Sequence, residues 1–350
     1  MAAVPMATIR DVARQAGVST ATVSRVLSRP DLVNPETRAS VVAAIETLGY
    51  TPNAAAKSLR TLRSGKVLVT VPDIANPFFS LILQGIESAA QRAGYSVLLG
   101  DTQHDDKREQ QYALMLQRRE ADGLIFLGHR LPKAAAALVR SLPRGRAPVV
   151  NGCEFSPGLS VPSVHIDNAK ASFEAVDYLY QLGHRHIGVV TGPMASPLSR
   201  DRLKGAMARA NRDRTRVTVS VAGGDFSIES GIAAGDQLLA GRTPPTSIFC
   251  FNDEMAIGVV HTARQRGMRV PDDLSVVGFD DIRFAQYCDP PLTTIRQPMR
   301  ELGEATVQLL LNILSGNVKD AVSVTLPHAL IVRASTGAPR SRAAMSLARS

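Results

Sequence analysis

The chain has 350 residues, with 40 Lys and Arg against 31 Asp and Glu for a formal charge of +9, 45% hydrophobic residues and no Trp. That length exceeds what one hydrophobic core organises and points to two or three domains. The three cysteines, Cys153, Cys250 and Cys288, lie too far apart for a disulfide framework or a C-x-x-C metal site. No apolar run is long enough to cross a membrane and no leader pattern opens the chain, so a soluble cytoplasmic protein is expected, with Met6 an alternative start to Met1.

The charge is uneven. Residues 1–65 carry 8 Lys/Arg against 4 Asp/Glu and residues 337–350 carry 3 against 0, while the body is near balance at 29 against 27. A basic end suits a partner made of phosphates.

In that end, Ile9, Val12 and Ala13 fall at helical spacing, Gly17 supplies a sharp turn, and Ser19 is placed to cap a second helix whose inner face is Val23, Val26 and Leu27. Two short helices about a tight turn are a helix-turn-helix, with Thr20, Ala21, Thr22 and Arg25 on the outer face of the second helix. Asn34-Pro35 then reads as N-cap and first residue of a third helix, with Val41, Val42, Ile45 and Leu48 apolar and Gly49 its stop. The stretch Tyr50 to Arg60 forms at most a short helix that needs outside support, and residues 61–66 read as a linker.

From Val67 the pattern changes to short apolar runs alternating with amphipathic helices. The runs are 67–71, 96–99, 124–127 and 149–150, then 186–190, 217–221, 247–251 and 274–278. Two sets of four buried strands separated by helices predict two doubly wound α/β subdomains. Ligands of such sheets sit beyond the carboxyl ends of the strands, where Asp73 to Phe79, Asn252-Asp253-Glu254 and Asp280-Asp281 fall. Helix 301–314 is apolar over more than one face, as packing against both its own sheet and a partner requires.

Asp11-Val-Ala, Gly17-Val-Ser and Thr22-Val-Ser-Arg-Val26 resemble the headpiece of the lactose/galactose repressor family. So do Pro52-Asn53 with Ala56 and Leu59, Asn252 to Gly258, Ser275 to Asp281 and Pro290 to Ile295, all in family order. The resemblance spans about residues 8–336. Val71 to Ile74, Asn76 to Phe79, Gly128 with Arg130 to Pro132, Val164 to Asn168, Asp177 to Tyr180 and Cys288 to Pro291 are most similar to the members that take a pyrimidine nucleoside such as cytidine. The hinge, Ala56 to Arg60, is instead similar to the helix-forming hinges of the purine and lactose branches, so the chain is expected to bind DNA unaided.

The resemblance implies a headpiece at 1–51, a hinge helix and linker at 52–66, and a two-lobed effector and dimerisation domain of the periplasmic-binding type at 67–336. Lobe 1 comprises about 67–165 and 297–325, lobe 2 about 166–296 and 326–336, and 337–350 is a disordered basic tail. It implies a homodimeric transcriptional repressor of the nucleoid, binding a palindromic operator and released by a nucleoside, or alternatively by a sugar. Neither cofactor nor membrane partner is implied. The implied DNA contacts are Thr20, Ala21 and Arg25 to bases, Thr22, Ser24 and Asn34 as positioning groups, Leu59 as the minor-groove wedge with Ala56 allowing close approach, Arg60 near phosphates or the groove edge, and Thr8, Ser19, Tyr50 and Asn53 as further contacts. The implied effector residues are Asn76, Phe78, Phe79, His165, Arg202, Phe226, Asn252, Asp280 and Gln297, with Cys153 and Glu154 as weaker matches. Arg202 and Asp280 are assigned to hydroxyls, and the phenylalanines are assigned as apolar walls.

Other classes fit less well. A periplasmic sugar-binding protein shares the two-lobed body but carries a leader in place of a headpiece. Nucleotide-binding and nucleophile-elbow motifs are missing, as no G-x-G-x-x-G, G-x-x-x-x-G-K-[ST] or G-x-S-x-G occurs. His104-Asp105-Asp106 and His184-Arg185-His186 lack a third metal ligand at a recognisable spacing, and adjacent Asp280 and Asp281 should diverge instead of forming a catalytic pair. The tail has no leucine heptad, so a dimer is expected without a coiled-coil extension.

Overall fold

The computed structural model describes residues 7–51, 58, 61–212, 217–317 and 321–340, and these divide into two compact units with the boundary at Ser64 and Gly65. The hinge residues Asn53, Ala56, Leu59 and Arg60 lie outside the described residues.

The first unit is the three-helix headpiece: α1 (Ile9–Gln15), α2 (Thr20–Ser28) and α3 (Pro35–Leu48). Local chemistry sets each boundary. The Asp11 carboxylate accepts from the backbone N–H and hydroxyl of Thr8 at 3.0 and 2.6 Å, closing the start of α1. Gly17, at φ +66°, turns the chain into α2, where Ser19 Oγ accepts from Thr22 N at 3.1 Å. Asn34 Oδ1 accepts from Glu36 N at 2.9 Å, and Gly49 ends α3 in the left-handed conformation. The core is Val12, Ala13, Val23, Val26, Val41 and Ala44, with Ile9, Ile45, Leu48 and Tyr50 packed on it. Leu27 and Val42 depart from expectation, at 41% and 42% exposed. Periodicity marks a stripe about 100° wide, but the neighbouring helix covers only part of it, and Val26 and Ala44 take the covered positions.

The second unit holds two six-stranded sheets. The first contains β1 (Lys66–Val71), β2 (Ser96–Asp101), β3 (Gly123–Phe126), β4 (Val149–Gly152), β5 (Ser163–Ile166) and β11 (Ser323–Leu326), in the order β11-β5-β4-β3-β1-β2. The second contains β6 (His186–Thr191), β7 (Thr218–Gly223), β8 (Ser247–Cys250), β9 (Ser275–Asp280), β10 (Thr293–Arg296) and β12 (Ala329–Ile331), in the order β12-β10-β9-β8-β6-β7. Pairing is parallel except between β10 and β12. The helices α4 (Pro77–Arg92), α5 (Asp106–Gln117), α6 (Lys133–Ser141) and α11 (Met299–Leu314) serve lobe 1, and α7 (Asn168–Gln181), α8 (Pro197–Ala210), α9 (Ile228–Leu239) and α10 (Asp253–Gln265) serve lobe 2. Central strands such as β3, β4, β8 and β9 are buried at every residue, as sheets covered on both faces demand.

Each sheet therefore has six strands where four were expected. The additional strands, β5, β10, β11 and β12, are rich in Ser and Thr or only three residues long. Their position explains their importance: the chain crosses between lobes after β5, after β10 and after β11. Residues 337–340, placed by sequence in the tail, are instead held to lobe 2. Gly337 N donates to Ser275 Oγ at 3.0 Å, its carbonyl meets His184 Nε2 at 3.0 Å, and Arg340 pairs with Asp272 and Asp273.

Candidate functional site

The headpiece offers its polar groups outward. Thr20, Ala21 and Arg25 are exposed on α2, opposite the buried Val23 and Val26. Among the described residues no carboxylate pairs with Arg25, leaving its guanidinium unspent. Thr22 and Ser24 are half-buried, and the Thr22 hydroxyl lies 3.0 Å from Ser19 Oγ, so part of its capacity goes to capping. Thr8 and Asn34 likewise use one group each on helix starts. Tyr50 packs on the headpiece core.

The second constellation stands at the carboxyl edge of the lobe 2 sheet, around Arg202. This residue is on α8 and is 3% exposed. Its Nε donates to Asn168 Oδ1 at 2.8 Å, its Nη1 donates to the Phe251 carbonyl, and its Cζ lies 3.7 Å from the Phe279 ring centroid. Its Nη2 stops 3.9 Å from Asp280 Oδ1, beyond hydrogen-bond reach. Burial works against the Arg202 charge, and the carboxylates of Asp280 and Glu154 work for it.

Asp280 ends β9 at φ +109°, a strained conformation for a residue with a side chain, and turns its carboxylate to accept from Gln297 Nε2 at 2.7 Å. Gln297 belongs to the crossover after β10, so Asp280 is tied to a segment that joins the lobes. Burial raises the Asp280 carboxyl to about 7, against the opposing pull of Arg202 and Gln297. The neighbouring Asp281 turns away to Arg296 and Arg333, both at 2.7 Å.

Asn252 caps α10 by accepting from Met255 N at 3.0 Å and donates to the Phe226 carbonyl at 2.8 Å. Phe226, at φ +77°, lays its ring where a Cβ on Gly192 would stand, 2.1 Å from Cζ. Arg202, Phe226, Asn252, Asp280 and Gln297 therefore occupy one edge of lobe 2. Asn76, Phe78 and Phe79 form a second group at the start of α4 in lobe 1. There Asn76 Oδ1 accepts from Phe78 N at 2.9 Å and the two rings meet edge-on at 5.1 Å. Phe78 is 8% exposed and belongs to the lobe 1 core, leaving Phe79 the more accessible ring.

His165 is a different case. Both ring nitrogens are engaged at 2.9 Å, one with the Ile166 carbonyl and one with Ser323 Oγ on β11, a joint between strands that leaves no nitrogen free for a ligand. His184 and His186 are also held by protein groups, at Thr246 and Gly337 and at Ser220. No group of three metal-binding side chains occurs among the described residues.

Sequence reasoning gave no role to Asn168, Asp253 or Ser196. Asp253 is fully buried and bonds both Ile282 N at 2.8 Å and Thr294 Oγ1 at 2.6 Å, joining α10 to the strand ends that carry Asp280. Burial holds its carboxyl well above the usual range. The signal for Asp253 was its place in Asn252-Asp253-Glu254. Asn168 and Ser196, as cap-type residues, were indistinguishable from ordinary helix starts.

A three-helix headpiece with an unspent arginine on its second helix, joined to two parallel-sheet lobes with polar groups at their carboxyl edges, defines a DNA-binding regulator governed by a small molecule. Residues 8–53 match the model of bacterial regulatory proteins of the lacI family, and residues 176–336 match the periplasmic binding protein-like domain. The chain belongs to the lacI family and is a transcriptional repressor, not an enzyme. It is 44% identical over 334 residues to the HTH-type transcriptional repressor CytR of Escherichia coli strain K12, covering 95% of this chain and 97% of that one. It is 36% identical to the catabolite control protein A of Priestia megaterium, covering 94% and 99%. The structure of the lac repressor dimer bound to operator and the anti-inducer ONPF matches with a TM-score of 0.85 at 31% identity, covering 95% of this chain and all of that one. No helix among the described residues is long and apolar enough to cross a membrane.

Proposed function

We propose that this repressor acts as a homodimer on a near-palindromic operator in the nucleoid and is released by a nucleoside, with cytidine the leading candidate. The carrying observation is Arg202, which is buried and oriented by Asn168 and Phe251 yet has an Nη2 with no acceptor in reach. A ligand oxygen placed there gains a charge-assisted hydrogen bond from a guanidinium that the fold already holds in position. Asp280 and Asn252 beside it suit hydroxyls, and the Phe226 and Phe79 rings suit the flat face of a base. A sugar is the second reading, since the hydroxyl-binding half of the cleft serves it equally.

This chain has a face that suits a partner protomer. Phe284 and Tyr287 are 53% and 74% exposed beside a largely apolar groove lined by Ile257, Val260 and Leu292, a face suited to a second copy. Effector binding favours one orientation of the lobes, and the coupling to the operator is about 1–3 kcal/mol.

Operator binding by the full chain, titrated with cytidine, uridine, adenosine and a panel of sugars, tests the reading. Release by nucleosides supports it, and release by sugars alone replaces it with the second reading. The hinge assignment rests on the family resemblance, and Leu59→Ala checks it: specific operator affinity falls at least 10-fold more than affinity for random DNA, as loss of a minor-groove wedge requires.

A further inference from the structure

The two lobes share one strand order, so their amino edges, where the parallel strands begin, can be compared directly. On lobe 2 that edge holds most of its arginines in place. Arg185 donates to the Tyr180 and His184 carbonyls, Arg266 pairs with Asp236, and Arg269 and Arg340 pair with Asp272 and Asp273. Arg242 is the exception, exposed and without a partner among the described residues.

Lobe 1 differs. At its amino edge Gly65 N donates to the Asp122 carboxylate at 2.9 Å, Asp122 N to the Lys66 carbonyl at 2.8 Å, and Leu124 N to the Pro148 carbonyl at 2.8 Å. Those bonds set loops 118–122 and 142–148 along the edge by which the chain enters the lobe. The loops carry Arg118, Arg119, Arg144 and Arg146, all exposed, against Glu120 and Asp122. The Asp122 carboxylate serves Gly65 N, and Glu120 reaches only Arg118, at 4.0 Å. Arg119, Arg144 and Arg146 have no partner among the described residues.

An arginine that follows a helix commonly donates to its last carbonyls. Arg119 and Arg144 follow α5 and α6 and donate to none. Arg119 also stands at φ +59° in the closing turn of α5, where its N–H meets the Leu116 carbonyl and Glu120 N meets the Met115 carbonyl. Glycine is the usual occupant of that position, because a side chain is strained there, so the fold keeps an arginine against its own preference. Chain connectivity supplies the occupant of the edge. Thr61 is helical and Leu62 turns at φ +54°, so residues 62–64 alone lead from Thr61 to Gly65, about 14 Å at full extension. With the hinge seated on a duplex, so short a lead holds this edge over the neighbouring phosphates.

Resting on that hinge reading, we infer that the amino edge of lobe 1, through Arg119, Arg144 and Arg146, is a second DNA contact that binds phosphates beside the hinge without reading their sequence. The lobe that the effector reorients then holds DNA itself, and its movement withdraws charge from the backbone as well as disturbing the hinge.

The test is binding of the full chain to a duplex selected by wild type from a random library, followed from about 50 to about 200 mM salt. Two charge-matched variants are compared: Arg119→Ala with Arg144→Ala on lobe 1, and Arg212→Ala with Arg242→Ala on lobe 2. The lobe 1 pair lowers the slope of log affinity against log salt by about 0.9 for each phosphate released, between about 1 and 4 for a dimer, and weakens low-salt binding at least about 10-fold. The lobe 2 pair leaves the slope unchanged. Equal changes in the two variants assign the effect to net charge and overturn the contact, as does an unchanged slope in the first. Should alanine disturb the closing turn of α5, Arg119→Gly, which that turn accepts, takes its place and is read in the same way. The hinge reading fails separately, through Leu59→Ala: unchanged specificity in that variant, with the lobe 1 slope change retained, keeps the phosphate contact and removes only its placement beside the hinge.

Discussion

The headpiece exposes the residues proposed to act in it, while the effector domain buries those proposed to act in it. In the headpiece six small side chains fill the interior, while Thr20, Ala21 and Arg25 on the outer face of α2 stand in solvent. In the effector domain Arg202, Asn252, Asp280 and Gln297 are each at most 5% exposed, held by one another and by backbone groups. An exposed cation is tuned by ionic strength, because salt screens it and counterions compete for the phosphates. A buried cluster is screened far less and responds to ligands and protons. Under the proposed function, one chain would read a polyanion with groups it keeps wet and a small molecule with groups it keeps dry.

The sharpest break in that comparison is Arg202→Ala. Removing the cation leaves Asp280 and Glu154 without their shared counter-charge and removes the donor aimed at the ligand, so effector affinity falls at least about 100-fold, measured by calorimetry on the full chain. Retained effector affinity would remove Arg202 from the site. The headpiece counterpart is Arg25→Ala, for which a loss of about 1–3 kcal/mol in operator affinity is expected with relaxed preference at one base pair, read from binding to a set of single-base operator variants. A uniform loss across all variants would reassign Arg25 to the phosphates.

The two regions also differed in how far sequence revealed them. The headpiece was legible because its determinants are local: Ser19, Asn34 and Gly49 each act within four residues, and the boundaries fell where they predicted. Leu27 and Val42 were misjudged because burial depends on which neighbour covers a stripe, and that is tertiary information. In the effector domain the apolar strands were visible, but β5, β10, β11 and β12 were not. Ser, Thr or His alternate with apolar residues in β5 and β11, β10 opens on two threonines, and β12 is too short to show a period. The cleft residues came from family resemblance. Nothing in the local pattern distinguishes the bond of Asp280 to Gln297 from the turn of Asp281 to Arg296 and Arg333, because both are acids at one strand end. His165 shows the converse, a polar residue near the site whose nitrogens are consumed by its own sheet.

A change of pH separates the regions next. Burial lifts the Glu154 carboxyl to about 8 and Asp280 to about 7, with Arg202 opposing both, Arg200 opposing the first and Gln297 the second. A carboxyl raised in the folded state holds a proton that the unfolded chain releases near pH 4, so its contribution is largest at low pH and declines as pH rises toward 8. In the headpiece Asp11 is shifted the other way, lowered by its bonds from Thr8, so its contribution is complete above pH 4 and constant from 5 to 8. His184, whose pKa burial lowers, opposes the carboxyl trend in the effector domain, so a difference measurement is needed. Glu154→Gln removes one titration. Relative to wild type without ligand, the variant is expected to gain at least about 1 kcal/mol at pH 8 over its standing at pH 5, followed by denaturant unfolding of the effector-domain transition. A pH-independent difference would show that Glu154 keeps its ordinary carboxylate pKa.

The finest comparison uses two serines in the same formal position. Ser19 and Ser196 both stand at the N-cap of a helix, α2 and α8, and both are of the usual capping type. Only the first performs it: Ser19 Oγ accepts from Thr22 N, whereas Ser196 Oγ leaves its helix uncapped and donates to Glu154. Ser19→Ala should therefore cost about 1 kcal/mol of headpiece stability, the usual price of a lost cap. Ser196→Ala removes a 3.4 Å bond and no cap, so its cost should stay within about 0.5 kcal/mol. Hydrogen exchange on the full chain resolves the two, reporting faster opening of α2 in the first variant and unchanged protection of α8 in the second. A large loss of protection in α8 would mean that Ser196 does cap its helix, and Glu154 would then lack the one donor that draws it across the cleft.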